Sequence, residues 1–320
     1  MKPVSKYVQL KEKYKTKLSR LEKHLQQKDY SKDTIRQDLN YTACFSDWLT
    51  QEESQVSYSD LLGFINYCKS QSDSTRLVNR KLSSIRKYYD YLQHESLVLK
   101  NPASGLYLKG KKLGIPSNLL DKEELQKLYE NYQVYDLRTA RNRVILNLII
   151  NQGLTTGEIR ALEPVHLKLK SGTIEIPGSR HSNGRTLKLE ANQIIELQEY
   201  LNETRPEILK AIKENVYRSG RKVKTPDFKT LERQLFISLN GATNIKNSLL
   251  HFVAALKRLN ENVRDLRQLR QSVITEWLKT EDVRKVQHKA GHRYVSTTER
   301  YQVSNLEDLQ EALNIHHPLK

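Results

Sequence analysis

A histidine and a tyrosine nine residues apart, His292 and Tyr301, enclose a threonine pair, Thr297-Thr298, in the segment Gly291-His292-Arg293-Tyr294-Val295-Ser296-Thr297-Thr298-Glu299-Arg300-Tyr301. Upstream, Arg267 and Arg270 fall in Asp265 to Leu278, where Leu266, Leu269, Val273 and Trp277 mark one stripe of a helix. Three residues apart, the two arginines share another face of it. Two guanidiniums held close together repel unless an anion sits between them; without one they are a solvated basic face. Were that anion a phosphodiester, attack by a phenol would build negative charge on its non-bridging oxygens, which fixed guanidiniums stabilise bidentately. Such an attack also needs a base for the phenolic proton and an acid for the leaving oxygen. On its own, one tyrosine among 17 is a packing or surface residue.

Several elements must hold these groups. Thr280-Glu281-Asp282 caps a short helix that Val283 and Val286 anchor and Gly291 ends, directly before His292. Asp121-Lys122-Glu123-Glu124 opens another helix, and the apolar run from Arg143 to Ile150 predicts a buried one closed by Gly153. Ile174 and Ile176, then Leu187 and Leu189, alternate at period two around a polar turn, which predicts a β-hairpin with Arg180, His181 and Arg185 at or near its tip. Residues 192–201 read as helix, and the polar, basic stretch 213–229 as an exposed loop. Residues 1–105 read as helices. Ser31 caps one whose apolar side carries Leu39, Ala43, Trp48 and Leu49; Ser59 and Asp60 open a second around Leu61, Phe64, Ile65 and Cys68; Ser74 to Gln93 forms a third, with Leu77, Leu82, Ile85, Tyr88, Tyr89 and Leu92 as core candidates. Asn101-Pro102-Ala103-Ser104-Gly105 ends this unit. Residues 106–118, with Lys109, Lys111 and Lys112, form a basic linker, either a solvated connector or a strap across a phosphate backbone.

The segment from Gly291 to Tyr301 resembles the last catalytic segment of the tyrosine recombinase (phage integrase) family: Gly-His, a short linker, Ser/Thr-Thr-Thr, two variable residues and the nucleophilic tyrosine. The two helices before it resemble the family's His-x-x-Arg and Gly-His pair, with Arg270 as the second catalytic arginine and Arg267 in the preceding histidine position. A register with Arg267 as that arginine breaks the match of Leu269 and Ser272. The N-terminal half is similar to the family's helical, SAM-like core-binding domain through Ser31-x-x-Thr34-Ile35, Leu82-Ser83-Ser84-Ile85-Arg86 with Tyr88-Tyr89, and Asn101-Pro102-Ala103.

The resemblance implies DNA cleavage and rejoining through a 3′-phosphotyrosine at Tyr301, with Arg270, His292, Arg267 and Arg180 around the phosphate. His292 would hold the phosphate or help with proton transfer. Arg180 stands at the family's lysine, an acid on the leaving oxygen, and would act there or contact the DNA backbone; an arginine gives up protons poorly. No metal or nucleotide cofactor is implied, because phosphotyrosine conserves the bond energy. The largest departure is Gly153-Leu154-Thr155-Thr156-Gly157-Glu158 in place of Gly-Leu-Arg-x-x-Glu: Thr155 stands where the first catalytic arginine belongs. Thr155 and Glu158 have the spacing of a capping box. The missing arginine implies a loss of a few kcal/mol of transition-state stabilisation.

Charge agrees with a polyanionic partner. Lys and Arg number 54 against 37 acidic residues, 54 − 37 = +17 over 320 residues. Arg160, Arg76, Arg80 and Lys81 are candidate backbone contacts on double-stranded DNA, or solvated helix faces. No run of about 18 apolar residues predicts a membrane span, and the first residues do not read as a signal peptide. Cys44 and Cys68 have neither metal-ligand nor disulfide spacing, which points to a reducing cytoplasmic setting. The expected fold is mainly α with a small β-hairpin or sheet: a helical core-binding domain (1–105), the linker (106–118) and a mixed α/β catalytic domain (119–320). Its C-terminal helix, with Leu306, Leu309, Ala312 and Leu313, would dock on its own domain or on a neighbouring protomer of a homo-tetramer on DNA. The competing expectation is a catalytically impaired DNA-binding protein with a regulatory or architectural role. Thr155, Arg267 and Arg180 point to it; Arg270, His292 and Tyr301 point back.

Overall fold

The computed structural model describes residues 6–110, 118–180, 182–218 and 226–302. Lys111, Lys112, His181 and the expected tail helix lie outside the described residues. The chain divides into two compact units, Met1–Lys112 and Leu113–Lys320. Among the described residues the fold is mainly α-helical with one small sheet, and no helix is long and apolar enough to cross a membrane.

The first unit contains α1 (Lys6–Lys13), α2 (Lys15–Gln27), α3 (Lys32–Trp48), α4 (Tyr58–Ser70) and α5 (Thr75–His94). Ser31 and Ser74 cap α3 and α5 by accepting the amides of Thr34 and Leu77. The second helix opens two residues earlier than its apolar pattern indicated. Ser57 is its cap, and the Asp60 carboxylate reaches back to the Ser57 amide at 2.8 Å. Phe45, Leu61, Phe64, Val78, Leu82, Ile85, Tyr88 and Tyr89 fill the core. Val78 rather than half-buried Leu77 takes the first core place on α5. Helix α5 ends at His94, with Ser96 at φ +57°, well before Pro102 and Gly105, and the packing continues beyond them. Leu106 is buried and Leu108 packs on the same core. Asn79 donates to the Leu108 carbonyl at 2.8 Å and accepts its amide at 2.9 Å, while Arg86 donates to the carbonyls of Ala103 and Leu106. The unit therefore takes in the start of the expected linker.

The second unit contains α6 (Lys122–Glu130), α7 (Leu137–Gln152), α8 (Thr156–Ala161), β1 (Leu167–Lys168), β2 (Thr173–Ile176), β3 (Arg185–Lys188), α9 (Ala191–Glu199), α10 (Arg205–Arg218), α11 (Phe228–Arg233), α12 (Lys246–Leu259), α13 (Leu266–Thr280) and α14 (Val283–Ala290). Between Val144 and Ile150, α7 is apolar nearly all round because it is buried all round: Ile145, Leu146, Leu148 and Ile149 are all inaccessible. Gly153 ends it at φ +58°, close against the Trp277 ring, where a Cβ would stand 2.9 Å from a ring carbon. The hairpin is the larger part of a three-stranded antiparallel sheet, order β1-β2-β3, with Ile174 paired to Leu187 and Ile176 to Arg185. Two-residue β1 is too short for alternation to reveal. The expected loop at 213–229 is partly helical. A π-helical turn, Tyr200–Thr204, joins α9 to α10, and buried Tyr200, Ile208 and Ile212 anchor the helix that runs on to Arg218; Phe228 then opens α11.

Candidate active site

Arg270 projects from α13 and is 7 % exposed. Two main-chain carbonyls hold its guanidinium. Gly153, at the end of α7, accepts from Nη1, and Ala290, the last residue of α14, accepts from Nη2 at 2.6 Å. Both carbonyls are negative ends of helix dipoles. The α8 carboxylate of Glu158 lies 3.6 Å from Arg270 Nη1. A second guanidinium holds the same carboxylate more closely: Arg185 Nη1 is 2.5 Å from Glu158 Oε1. Arg185 Nε also donates to the Lys289 carbonyl at 2.7 Å. A Cβ at Gly291 would overlap this guanidinium, and Gly291 has φ +67°, so the position needs glycine twice over.

Thr155 completes the capping box of α8. Its amide and hydroxyl donate to Glu158 Oε2 at 2.8 and 2.9 Å, and its hydroxyl accepts the Glu158 amide at 3.1 Å. Burial alone would raise the Glu158 carboxyl. The Arg185 hydrogen bond and charge, the Thr155 amide and the Arg270 charge outweigh it and hold the group below the usual carboxylate range.

Gly291 turns the chain out of α14 and delivers His292. The imidazole Nδ1 lies 2.9 Å from the hydroxyl of fully buried Thr298. From residue 295 to 302 the chain is helical, which returns Tyr301 to His292. Their rings stack at 6.0 Å between centroids and 13° between planes, with Tyr301 resting on Ile274, Val286 and Ala290. Burial, then the charges of Arg270 and Arg185, push the His292 pKa down to about 4, so the imidazole is neutral at pH 7. Burial also lowers Arg270, to about 10, which leaves it charged. The hairpin tip docks on the same loop. Ser182 forms an antiparallel bridge with His292, and the Asn183 amide donates to the Gly291 carbonyl at 2.9 Å. Arg180, exposed in that tip, lines a cavity with His292, Arg293, Tyr294 and Thr297.

The fold thus gathers Arg270, His292 and Tyr301, with Arg180 beside them. It does not put Arg267 in the same environment as Arg270. Three helical steps leave about 60° between their directions, enough that Arg270 is buried and Arg267 exposed. The guanidinium that neighbours Arg270 is Arg185, expected near the hairpin tip but found buried at the start of β3. Its period-two spacing with Leu187 and Leu189 was the signal that it points inward. Thr298, which the motif includes without a role, is the partner of His292 Nδ1. Of the expected DNA contacts, Arg160, Arg76, Arg80 and Lys109 are exposed, whereas the Lys81 ammonium pairs with Asp73 and keeps only 12 % of its side chain exposed.

The family model for the phage integrase family matches residues 118–307, and that for the N-terminal SAM-like domain of phage integrases matches residues 18–96. The chain is 26 % identical over 298 residues to tyrosine recombinase XerC of Oceanobacillus iheyensis, covering 91 % of this chain and 92 % of that one. It is 28 % identical over 289 residues to tyrosine recombinase XerC of Anoxybacillus flavithermus, covering 86 % and 88 %. Its fold is similar to that of the XerH site-specific recombinase bound to palindromic difH substrate, with a TM-score of 0.62 and 20 % identity over 88 % of this chain and 79 % of that one. With one family model extending over more than half of the sequence, the chain belongs to the phage integrase family.

Proposed function

We propose that this protein is a site-specific DNA recombinase that cleaves and rejoins DNA through a 3′-phosphotyrosine at Tyr301. One observation carries the reading: within a single unit, the Tyr301 ring stacks on His292 beside the buried guanidinium of Arg270. Tyr301 Oη attacks the scissile phosphorus, the P–O5′ bond breaks, and the phenolic proton passes to a base. With Nδ1 engaged by Thr298, His292 presents Nε2 to the phosphate or to that proton. Arg270 stabilises the charge developing on the non-bridging oxygens. A guanidinium keeps its protons, so Arg180 stabilises the leaving oxygen, which takes its proton from water. Attack by a 5′-hydroxyl on the phosphotyrosine reverses the step, and the ester conserves the bond energy, so the reaction calls for neither a metal nor a nucleotide.

Relatives named as tyrosine recombinases over most of the chain support this reading. Exchange between two duplexes, with one phosphotyrosine per strand and one Tyr301 per protomer, calls for a homo-tetramer on DNA in the cytoplasm. Arg160, Arg76, Arg80 and Lys109 are its candidate backbone contacts. One observation favours a second reading, a DNA-binding protein without cleavage: the residue in the place of the first catalytic arginine, Thr155, is fully occupied in a helix cap. Nicked suicide duplexes drawn from the DNA flanking the gene separate the two. Wild type should form a covalent adduct on denaturing gels and Tyr301→Phe none. Tight, specific binding without adduct would leave the binding-only reading.

A further inference from the structure

We propose that Arg293 is a phosphate-binding residue: with Arg180 and His292 it forms a seat for the scissile phosphate and supplies positive charge that Thr155 does not. This rests on the cleavage reading above and goes beyond it, because nothing in the tyrosine motif assigns a role to the residue after the histidine. The cavity is about 320 Å³ and is lined by Arg180, His292, Arg293, Tyr294 and Thr297. No carboxylate is among these residues. Among the described residues neither Arg180 nor Arg293 has an acidic partner, although Arg185 and Arg270 both do. The pairing of Ser182 with His292, and of Asn183 with Gly291, fixes one arginine two residues before the bridge and the other one residue after it. Two exposed cations therefore stand at one opening, where water weakens their repulsion and a bound anion would replace it with attraction.

The other arginines do not fill this role. Arg185 has no exposed side-chain surface, and its Nη1 and Nε are committed to Glu158 and to a carbonyl. Arg160 and Arg267 are exposed on α8 and α13 and do not line the cavity. His292 reaches the cavity as a neutral ring. Arg300 also acts on the His292 ring, but the arginines that line the opening are Arg180 and Arg293, and a phosphodiester held there meets the His292 edge that Thr298 does not engage.

Two measurements test this. In the first, free protein is titrated with inorganic phosphate while the His292 ring signals are followed by NMR. A saturable shift is expected in wild type and in Tyr301→Phe, with Arg293→Ala weakening it roughly tenfold to a hundredfold and Arg293→Lys less. The absence of a saturable response in wild type, or an unchanged one in Arg293→Ala, overturns the proposal. In the second, adduct formation is compared on phosphodiester and on methylphosphonate suicide DNA, whose scissile group lacks the charge. Arg293→Ala should slow cleavage of the phosphodiester by about 10²-fold at saturating protein and that of the methylphosphonate by much less. Equal slowing on both, or a loss wholly due to weaker DNA binding, also overturns it. Failure of wild type to form any adduct defeats the recombinase reading, while the phosphate titration still decides whether Arg293 belongs to an anion seat.

Discussion

Arg185 and Glu158 form an ion pair with 0 % and 3 % of their side chains exposed, Nη1 to Oε1 2.5 Å. The same carboxylate is 3.6 Å from Arg270. One buried carboxylate between two buried guanidiniums leaves a surplus positive charge. Because Arg185 holds the carboxylate at closer range, Arg270 is only partly neutralised and retains attraction for an external anion. The arginine pair expected from Arg267 and Arg270 is therefore built from residues 85 positions apart in the chain, Arg185 and Arg270, with a carboxylate bound to one of them.

This arrangement predicts that Glu158→Gln is severely destabilising. It strands Arg185 in the interior while leaving the Thr155 cap an acceptor in the Gln carbonyl, and breaking a buried pair of this kind costs about 3–5 kcal/mol. The double variant Glu158→Gln/Arg185→Met should recover part of that loss, since it leaves no unpaired charge at position 185. Urea unfolding of Glu158→Gln, Arg185→Met and the double variant decides it; a double variant at least as unstable as the sum of both single changes would rule out the buried-pair account. The carboxyl is depressed in the folded state, so its contribution is present above the unfolded carboxylate value and is lost as pH falls through the folded one.

Thr155 allows a substitution that separates stability from chemistry. Thr155→Ala removes only a cap and should cost about 1 kcal/mol with little effect on adduct formation per folded molecule. Thr155→Arg should cost a similar amount of stability and change adduct formation little while Arg293 is present, yet speed it by roughly tenfold or more in an Arg293→Ala background, where the added guanidinium replaces the charge that was removed. An equal gain from Thr155→Arg with and without Arg293 would mean that Arg293 does not stand in for that charge.

The helices and the tyrosine segment were legible because their signals are local. Ser31 and Asp121 mark starts, Gly153 and Gly291 mark ends, and His292 and Tyr301 are brought together by one short helix. The partners of Arg270 were not legible in the same way. Its carbonyl ligands, Gly153 and Ala290, come from the ends of two other helices, and no side-chain pattern encodes a carbonyl. The burial of Arg185 is hidden because charge argues for the turn while alternation argues for the core, and the buried Glu158 that settles the conflict is 27 residues away. The basic stretch after residue 213 reads as loop for a related reason: among the described side chains of α10 the buried ones are Ile208 and Ile212, and both precede it.

Thr298 is a positioning residue for His292. It is fully buried, and its hydroxyl is the partner of Nδ1. Thr298→Val keeps the shape and removes that partner, so the ring loses its fixed edge toward the phosphate. Adduct formation should fall by about 10²-fold, the scale of a misplacement near 1 Å, while DNA affinity holds. Thr298→Ser should restore most of the rate. Equal losses in Val and Ser would show that the methyl group's packing, not the hydrogen bond, is what matters.

His292 itself should titrate far from the ordinary histidine range. Burial and the neighbouring guanidiniums lower its pKa to about 4 from an unfolded value near 6.5. As pH falls between these values the unfolded chain takes up a proton that the folded chain does not. The folded protein therefore loses stability through that window, has the full contribution above it, and shows no further change from this group below pH 4. Replacing His292 with Gln removes this part of the acid sensitivity. NMR of the ring in the free protein should show a neutral imidazole at pH 5.5. Bound phosphate brings a negative charge to the same ring and should move its titration upward, toward neutrality. A midpoint near 6.5 in the free protein would mean that the ring is open to water and not shielded beside Arg270.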